Sequence, residues 1–260
     1  MFEDLFSLDG RVALVTGGSR GIGKMIAAGY LAHGVSKVYI TSRKAEQCDA
    51  AAEELSEHGT CISIPMDLST LDGCRALTEE ISSREEKLDI LVNNAGAAWG
   101  AEFEDFPESG WDKVMNLNVK SPFFLTQMLH TKLAAAASDA RPAKVINISS
   151  VDGIKVNPDE TYSYHASKSA LIHLTRRMAA RLVRERIVVT CIAPGPFASD
   201  MNRVARDTPD LIAKRTPLGR IGIDEDMAGA AIYLASKAGD FVVGETIAVD
   251  GGNAYARLSG

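Results

Sequence analysis

The stretch "RVALVTGGSRGIGKMIA", Arg11 to Ala27, decides the fold. It opens with an apolar, β-branched run, "RVALVT", whose residues do not alternate with polar ones, as suits a strand covered on both faces. Gly17, Gly21 and Gly23 follow in a tight turn, and a helical pattern begins there. Glycines let the backbone approach a pyrophosphate closely, and a helix N-terminus adds free N–H groups and a positive dipole end. The spacing G-x-x-x-G-x-G is a variant of the dinucleotide fingerprint. Taken alone, the turn reads equally well as a plain strand-to-helix connection.

Working outward, similar runs recur: "KVYITS" (Lys37 to Ser42), "CISIPM" (Cys61 to Met66), "DILVNN" (Asp89 to Asn94), "KVINIS" (Lys144 to Ser149), "IVVTCI" (Ile187 to Ile192) and "TIAV" (Thr246 to Val249). Between them lie segments of helical propensity with turn signals at their ends, such as "KAEQCDAAAEELSEHG" and "TLDGCRALTEEISSREEK". Strand, helix, strand repeated in this way predicts an α/β fold: a seven-stranded parallel sheet with helices on both faces. Linkers, repeats and low-complexity tracts do not interrupt it. The expectation is one doubly wound Rossmann-type domain over residues 1–260. Ligands in such sheets bind beyond the carboxyl ends of the strands, so the loops there are the places to look for function.

Composition narrows the classes. The chain has 260 residues, 46% hydrophobic and 24% charged, enough for a sizeable core without disulfides or metal. A net charge of -6 argues against a nucleic-acid binder held by phosphate attraction. The run Arg176, Arg177, Arg181, Arg184 and Arg186 reads as the solvated face of an amphipathic helix. Cys48, Cys61, Cys74 and Cys191 form no C-x-x-C pair and have no histidine at metal-ligand spacing, so buried free thiols in a reducing compartment, and no metal site, are expected. The acidic start "MFEDLFSLDG" is unlike a signal peptide. With no apolar run near the ~20 residues that span a bilayer, the expected location is the cytoplasm, away from any membrane.

Cofactor choice turns on the end of the second strand. A carboxylate there would favour the ribose 2′-hydroxyl of NAD. Instead the sequence reads "ITSRK", with Ser42 and Arg43, and Arg20 sits within the glycine turn beside Ser19 and Ile22. Two guanidiniums near the adenosine ribose suit a 2′-phosphate, pointing to NADP(H). Arg43 also fits a solvated strand-end arginine.

A second constellation lies in "DETYSYHASKSALIHL", Asp159 to Leu174. On a helix Tyr164 and Lys168 share one face, one turn apart. Tyr162 points elsewhere, and His165 leaves the helix about 100° away from Tyr164. An ammonium beside a phenol lowers its pKa toward working pH. A packed phenol beside a solvated lysine would give the same spacing.

Together these pieces resemble the short-chain dehydrogenase/reductase family over essentially the whole chain. The resemblance rests on "TGGSRGIG" (Thr16 to Gly23), "MDLS" (Met66 to Ser69), "NNAG" (Asn93 to Gly96), Asn118 in "NLNV", Ser150 in "ISS", "YHASK" (Tyr164 to Lys168), Pro194-Gly195 and "DGG" (Asp250 to Gly252). Within the family the chain looks most like 3-oxoacyl reductases.

That resemblance implies hydride transfer between a nicotinamide and a carbonyl or alcohol carbon. It implies Tyr164 as proton donor or acceptor, with Lys168 lowering its pKa and binding the nicotinamide ribose. Ser150 would hydrogen-bond the substrate oxygen, and Asn118 would help hold a water in a proton relay. Ser149 is chemically as able as Ser150, and the family pattern selects the second. For the cofactor it implies Asp67, with Leu68, at the adenine. Asn94, Ala95 and Gly96 would line the adenosine side, and Pro194 and Gly195 the nicotinamide. Ser199 stands where the family often has threonine. The serine-to-tyrosine loop is slightly longer than usual.

Specificity is thinner. Trp99, Phe103, Phe106, Phe197 and Met201 could face an acyl chain or a ring, or pack a lid onto the body. Arg203, Arg206, Lys214, Arg215 and Arg220 could meet an acidic carrier such as acyl carrier protein or coenzyme A, or form a mixed solvated surface with Asp200, Asp207 and Asp210. The family implies a homotetramer or dimer, with "LTQMLHTKLAAAA" and the Tyr164 helix as interface candidates. The leading reading is an NADPH-dependent carbonyl reductase of 3-oxoacyl type. The alternatives are a dehydrogenase of a sugar acid, steroid or secondary alcohol, and a non-catalytic NADP-binding sensor.

Overall fold

The computed structural model describes residues 2–256. Residue 1 and residues 257–260, the two ends of the span expected for the domain, lie outside the described residues. Seven strands form one sheet: β1 (Val12–Thr16), β2 (Lys37–Thr41), β3 (Cys61–Ser63), β4 (Ile90–Asn93), β5 (Ala143–Ile148), β6 (Ile187–Pro194) and β7 (Thr246–Val249). Every pairing is parallel, in the order β3-β2-β1-β4-β5-β6-β7. The winding reverses between β1 and β4, so a crevice opens above their carboxyl ends.

The seven expected strands are all present, with one shortened. β3, an edge strand, ends at Ser63 rather than Met66, and Pro65 sits just beyond it where its missing N–H would face the open edge. Ile64 and Met66 still donate to Ile40 and Ser42, at 2.9 Å each, so the segment stays alongside β2.

The described residues form ten α-helices: α1 (Gly21–Ala32), α2 (Ala45–Leu55), α3 (Leu71–Arg84), α4 (Glu108–Met115), α5 (Ser121–Met128), α6 (His130–Ala136), α7 (Tyr162–Leu182), α8 (Arg203–Asp207), α9 (Pro209–Arg215) and α10 (Asp224–Ala235). Alternation along the strands sends their side chains into two cores. Ala13, Val15, Val38, Ile40 and Val92 meet α1, α2 and α10, while Leu14, Tyr39, Leu91 and Val145 meet α3, α5, α6 and α7. This double burial explains why the strands read as continuous apolar runs. A fully buried leucine such as Leu14 contributes about 2 kcal/mol relative to its exposed state.

Polar groups also cross the second core. Asn93 Nδ2 donates to Asn147 Oδ1 at 2.9 Å, and Asn147 Nδ2 donates to Thr175 Oγ1 at 2.9 Å. This buried chain of amides ties β4 and β5 to α7, and breaking it would leave unpaired polar atoms inside the protein. It therefore fixes the helix that carries Tyr164 and Lys168.

Candidate active site

The loops beyond β1, β2 and β4 surround a cavity of about 710 Å³, a size typical of small-molecule sites. The glycine turn forms one wall. Gly17 has φ +66 and Gly21 φ +51, backbone that a side chain would strain. A Cβ at position 23 would lie 2.3 Å from the Gly17 carbonyl oxygen, so Gly23 allows the helix to start against the strand. Asn94 Nδ2 donates to the carbonyls of Thr16 and Gly17, at 2.9 and 3.1 Å. The Asn94 amide thus braces the turn, and its lining of the cavity is a matter of shape rather than of unused donors.

Helix α1 opens onto this cavity with no side-chain cap from Arg20 and no acidic residue in its first turn. Its first N–H groups are left to an anion, which fits a dinucleotide pyrophosphate. Ser19, Arg20 and Ile22 line the same wall, and Ser42 and Arg43 line the rim above β2. Arg43 is exposed, whereas Arg20 Nη1 meets Asp200 Oδ2 at 2.5 Å. Asp67 Oδ1 accepts from the Ser69 N–H at 2.9 Å, capping a local turn, and the residue lines the cavity beside the mostly buried Leu68. Ala95 and Gly96 complete that side, and Ser199 enters from the far wall. Pro194 and Gly195 instead end β6 outside the lining. A Cβ on Gly195 would lie 2.6 Å from Asp250 Cα, so its close neighbour is the loop after β7.

At the other end stand Tyr164 and Lys168, on α7 as the spacing predicts. Lys168 Nζ is 5.5 Å from the Tyr164 ring centroid and donates to the Ile148 carbonyl at 2.9 Å. Lys168 is buried, and loss of water pushes its pKa down to about 8. Tyr164 lies deep in the wall, with part of its surface open to the cavity. Burial pushes its phenol up to about 12; a hydrogen bond with Ser150 draws it down, and Asp152 pushes it up. The lowering expected from Lys168 does not act on it here: burial dominates, only Ser150 opposes it, and the phenol holds its proton at neutral pH.

Geometry separates the two serines. Ser149 Oγ donates to the Lys168 carbonyl at 2.7 Å and so staples β5 to α7. Ser150 accepts from the Asp152 N–H at 3.1 Å and bonds Tyr164. Asn118 sits in a π-turn, Asn116–Lys120, between α4 and α5; such turns interrupt helices at functional sites. Its Oδ1 accepts from Ala97 N at 2.8 Å, and its Nδ2 donates to Ala97 O at 2.9 Å and Ser167 Oγ at 3.0 Å. The amide is committed to protein partners, so it positions the loop after β4 instead of offering a free donor to water. Tyr162 turns away, with edge contacts to Phe103 and Phe106 at 5.5 and 5.6 Å between centroids. His165 Nδ1 bonds the Thr161 carbonyl and hydroxyl.

The segment over the cavity divides the specificity candidates. Phe197 is buried against Gly222 and belongs to the first core. Phe103 and Phe106 pack on Tyr162, and the Trp99 ring fits over Gly110 with Lys113 Nζ 5.0 Å above it. Met201, half-exposed, does line the cavity. Among the basic residues, Arg206 pairs with Asp200 and Asp207, and Arg220 with Asp226. Among the site residues missed from sequence are Leu117, Ser167 and Asp200. Ser167 is visible only as the small residue before Lys168, and Asp200 carries no signal because its partner Arg20 is 180 positions away.

Residues 17–254 match a family model described as Enoyl-(Acyl carrier protein) reductase. The rhamnolipids biosynthesis 3-oxoacyl-[acyl-carrier-protein] reductase of Pseudomonas aeruginosa is 50% identical over 250 residues, covering 95% of this chain and 97% of that one. The 2-dehydro-3-deoxy-D-gluconate 5-dehydrogenase of Dickeya dadantii is 37% identical, covering 97% and 98%. Among solved structures, the Pseudomonas aeruginosa RhlG/NADP active-site complex superposes with a TM-score of 0.93 at 48% identity, covering 96% of this chain and 99% of that chain.

Proposed function

The chain belongs to the short-chain dehydrogenase/reductase family and is an NADP-dependent oxidoreductase acting on C=O and CH–OH groups, and on that premise we propose that it reduces 3-oxoacyl substrates. The observation that carries this reading is one cavity with Tyr164 and Lys168 at one end and Arg20 and Arg43 at the other. The substrate class rests on the likeness to the Pseudomonas aeruginosa reductase, and the apolar Leu117 and Met201 in the cavity wall suit an acyl chain.

NADPH bound across the glycine turn supplies the hydride. Negative charge then grows on the substrate oxygen, and donors fixed at that oxygen stabilise it. Tyr164, still protonated at neutral pH, gives its proton there, and Ser150 hydrogen-bonds the same oxygen. Lys168, anchored on the Ile148 carbonyl, stabilises the phenolate left behind and holds the nicotinamide ribose. Asn118 braces the loop after β4 through the Ala97 main chain and in that way would help shape the place of a relay water. At the other end, Arg20 and Arg43 take the 2′-phosphate, and Asp67 meets the adenine.

The sugar-acid reading keeps support from several relatives, among them the 37% identical dehydrogenase of Dickeya dadantii. A panel of 3-oxoacyl thioesters on coenzyme A and acyl carrier protein, beside 5-keto-gluconate and simple ketones, separates the two. Efficient turnover of the thioesters is expected; activity confined to the sugar acids would replace this reading with the alternative. The acyl group on its carrier is the proposed partner. We also take the assembly to be a cytoplasmic homotetramer or dimer. No helix among the described residues is long and apolar enough to cross a membrane. The exposed apolar side chain of Phe123 on α5 supports an interface there, which light scattering would test.

A further inference from the structure

The segment after β6 reaches back onto the glycine turn at its root. A Cβ on Gly21 would lie 3.2 Å from Ser199 Cβ, so Ser199 and Asp200 sit over the start of α1. This root is internally braced. Ser199 Oγ accepts from Asn202 N at 3.1 Å, and Asn202 Oδ1 accepts from Ala205 N at 3.1 Å to cap α8. Asp200 projects from it between two guanidiniums. Oδ2 meets Arg20 Nη1 at 2.5 Å, and Oδ1 meets Arg206 Nη1 at 2.6 Å. Asp200, Arg20 and Arg43 all line the one cavity.

We propose that Asp200 is a specificity-determining residue that competes with the 2′-phosphate of NADP(H) for the Arg20 guanidinium. The inference rests on the reading that Arg20 and Arg43 receive that phosphate. Arg20 is long and largely exposed, so it can turn from a neighbouring carboxylate to a phosphate on the rim. Asp200 is not orphaned by that exchange, because Arg206 still pairs with it. The carboxylate remains within screening distance of a group carrying nearly two negative charges and repels it. The 2′-hydroxyl of NAD(H) has no such charge. Asp200 therefore weakens the phosphorylated cofactor selectively and eases its release, while leaving NAD(H) untouched. An exposed pair of this kind supplies a modest effect, roughly twofold to fivefold in affinity.

The test is fluorescence titration of wild type, Asp200→Asn and Asp207→Asn with NADPH, NADH, 2′,5′-ADP and 5′-AMP, at low and high salt. In Asp200→Asn, NADPH and 2′,5′-ADP should bind roughly twofold to fivefold more tightly. NADH and 5′-AMP should be unchanged, and the gain should shrink as salt rises. Asp207 pairs with Arg206 but not with Arg20, so Asp207→Asn should keep the wild-type ratio of NADPH to NADH affinity. A wild-type ratio in Asp200→Asn, or an equal shift in Asp207→Asn, overturns the assignment to Asp200 while the phosphate-binding reading stands. If wild type binds 2′,5′-ADP no more tightly than 5′-AMP, that reading fails first and the competition falls with it.

Discussion

Helix α7 buries Ser167, Lys168 and Thr175 against the sheet, each polar atom paired, whereas Asp200 and Arg203 line the cavity with their charges in water. In the first region, burial does the chemistry's preparation: it depresses Lys168, keeps Tyr164 protonated and fixes Ser149 as a staple. In the second, Arg206 pairs with both Asp200 and Asp207 at the surface, where solvent screening leaves each pair worth little. Interactions that weak can be exchanged for a ligand's. The molecule thus separates a rigid, desolvated centre that defines the reaction from a solvated edge that adjusts what is bound.

The sharpest way to break this comparison is Tyr164→Phe. Turnover should fall about 10²–10⁴-fold while NADPH affinity and thermal midpoint hold. Substantial remaining activity would move the acid elsewhere. Lys168→Met should come next, with a loss of about a hundredfold. It should also remove an alkaline limb, since wild-type reduction falls as pH rises through the value of about 8 to which burial has pushed Lys168. The same shift has a stability consequence. The folded pKa lies below the ordinary lysine value of 10.5, so the unfolded chain binds the extra proton between about 8 and 10.5. Burying the ammonium costs stability below that window, and the cost is relieved as pH rises through it. Lys168→Met should therefore melt higher than wild type at neutral pH, by a margin that shrinks toward pH 10.5; a constant margin would mean that Lys168 is not desolvated.

Effects at the edge should be smaller. Arg43→Ser should lower the NADPH-to-NADH ratio of kcat/KM about tenfold, as expected for one lost charge-assisted contact to phosphate. An unchanged ratio would leave Arg43 as a solvated surface residue. Met201→Ala should cost roughly twofold to fivefold in kcat/KM on long 3-oxoacyl thioesters and nothing on short ones. Equal losses on both would show that Met201 orders the segment rather than touching the chain.

The same division governs what could be read without coordinates. Strands covered on both faces leave continuous apolar runs, and the turn around Gly17 and Gly21 leaves its glycines, so the sheet and the phosphate wall were legible. Tyr164 and Lys168 are four apart on one helix, a relation that periodicity preserves. The choice between Ser149 and Ser150 needed the family pattern, because both lie beyond the last residue of β5 and only the Lys168 carbonyl distinguishes them. The π-turn at Asn118 has no local sequence signal, since it is set by bonds to Ala97 and Ser167 from two other elements. Phe197 fitted either a substrate contact or packing of the segment onto the body, and only its burial against Gly222 selects packing. The pair between Arg20 and Asp200 joins distant positions and costs neither residue its solvent, so no burial pattern marks it.

The most direct test follows nicotinamide absorbance while purified protein acts on one 3-oxoacyl thioester, first with NADPH and then with NADH. The account predicts rapid oxidation of NADPH and a kcat/KM for it at least about tenfold above that for NADH. A preference for NADH would contradict the roles of Arg20 and Arg43, and no turnover with either cofactor would contradict the proposed substrate.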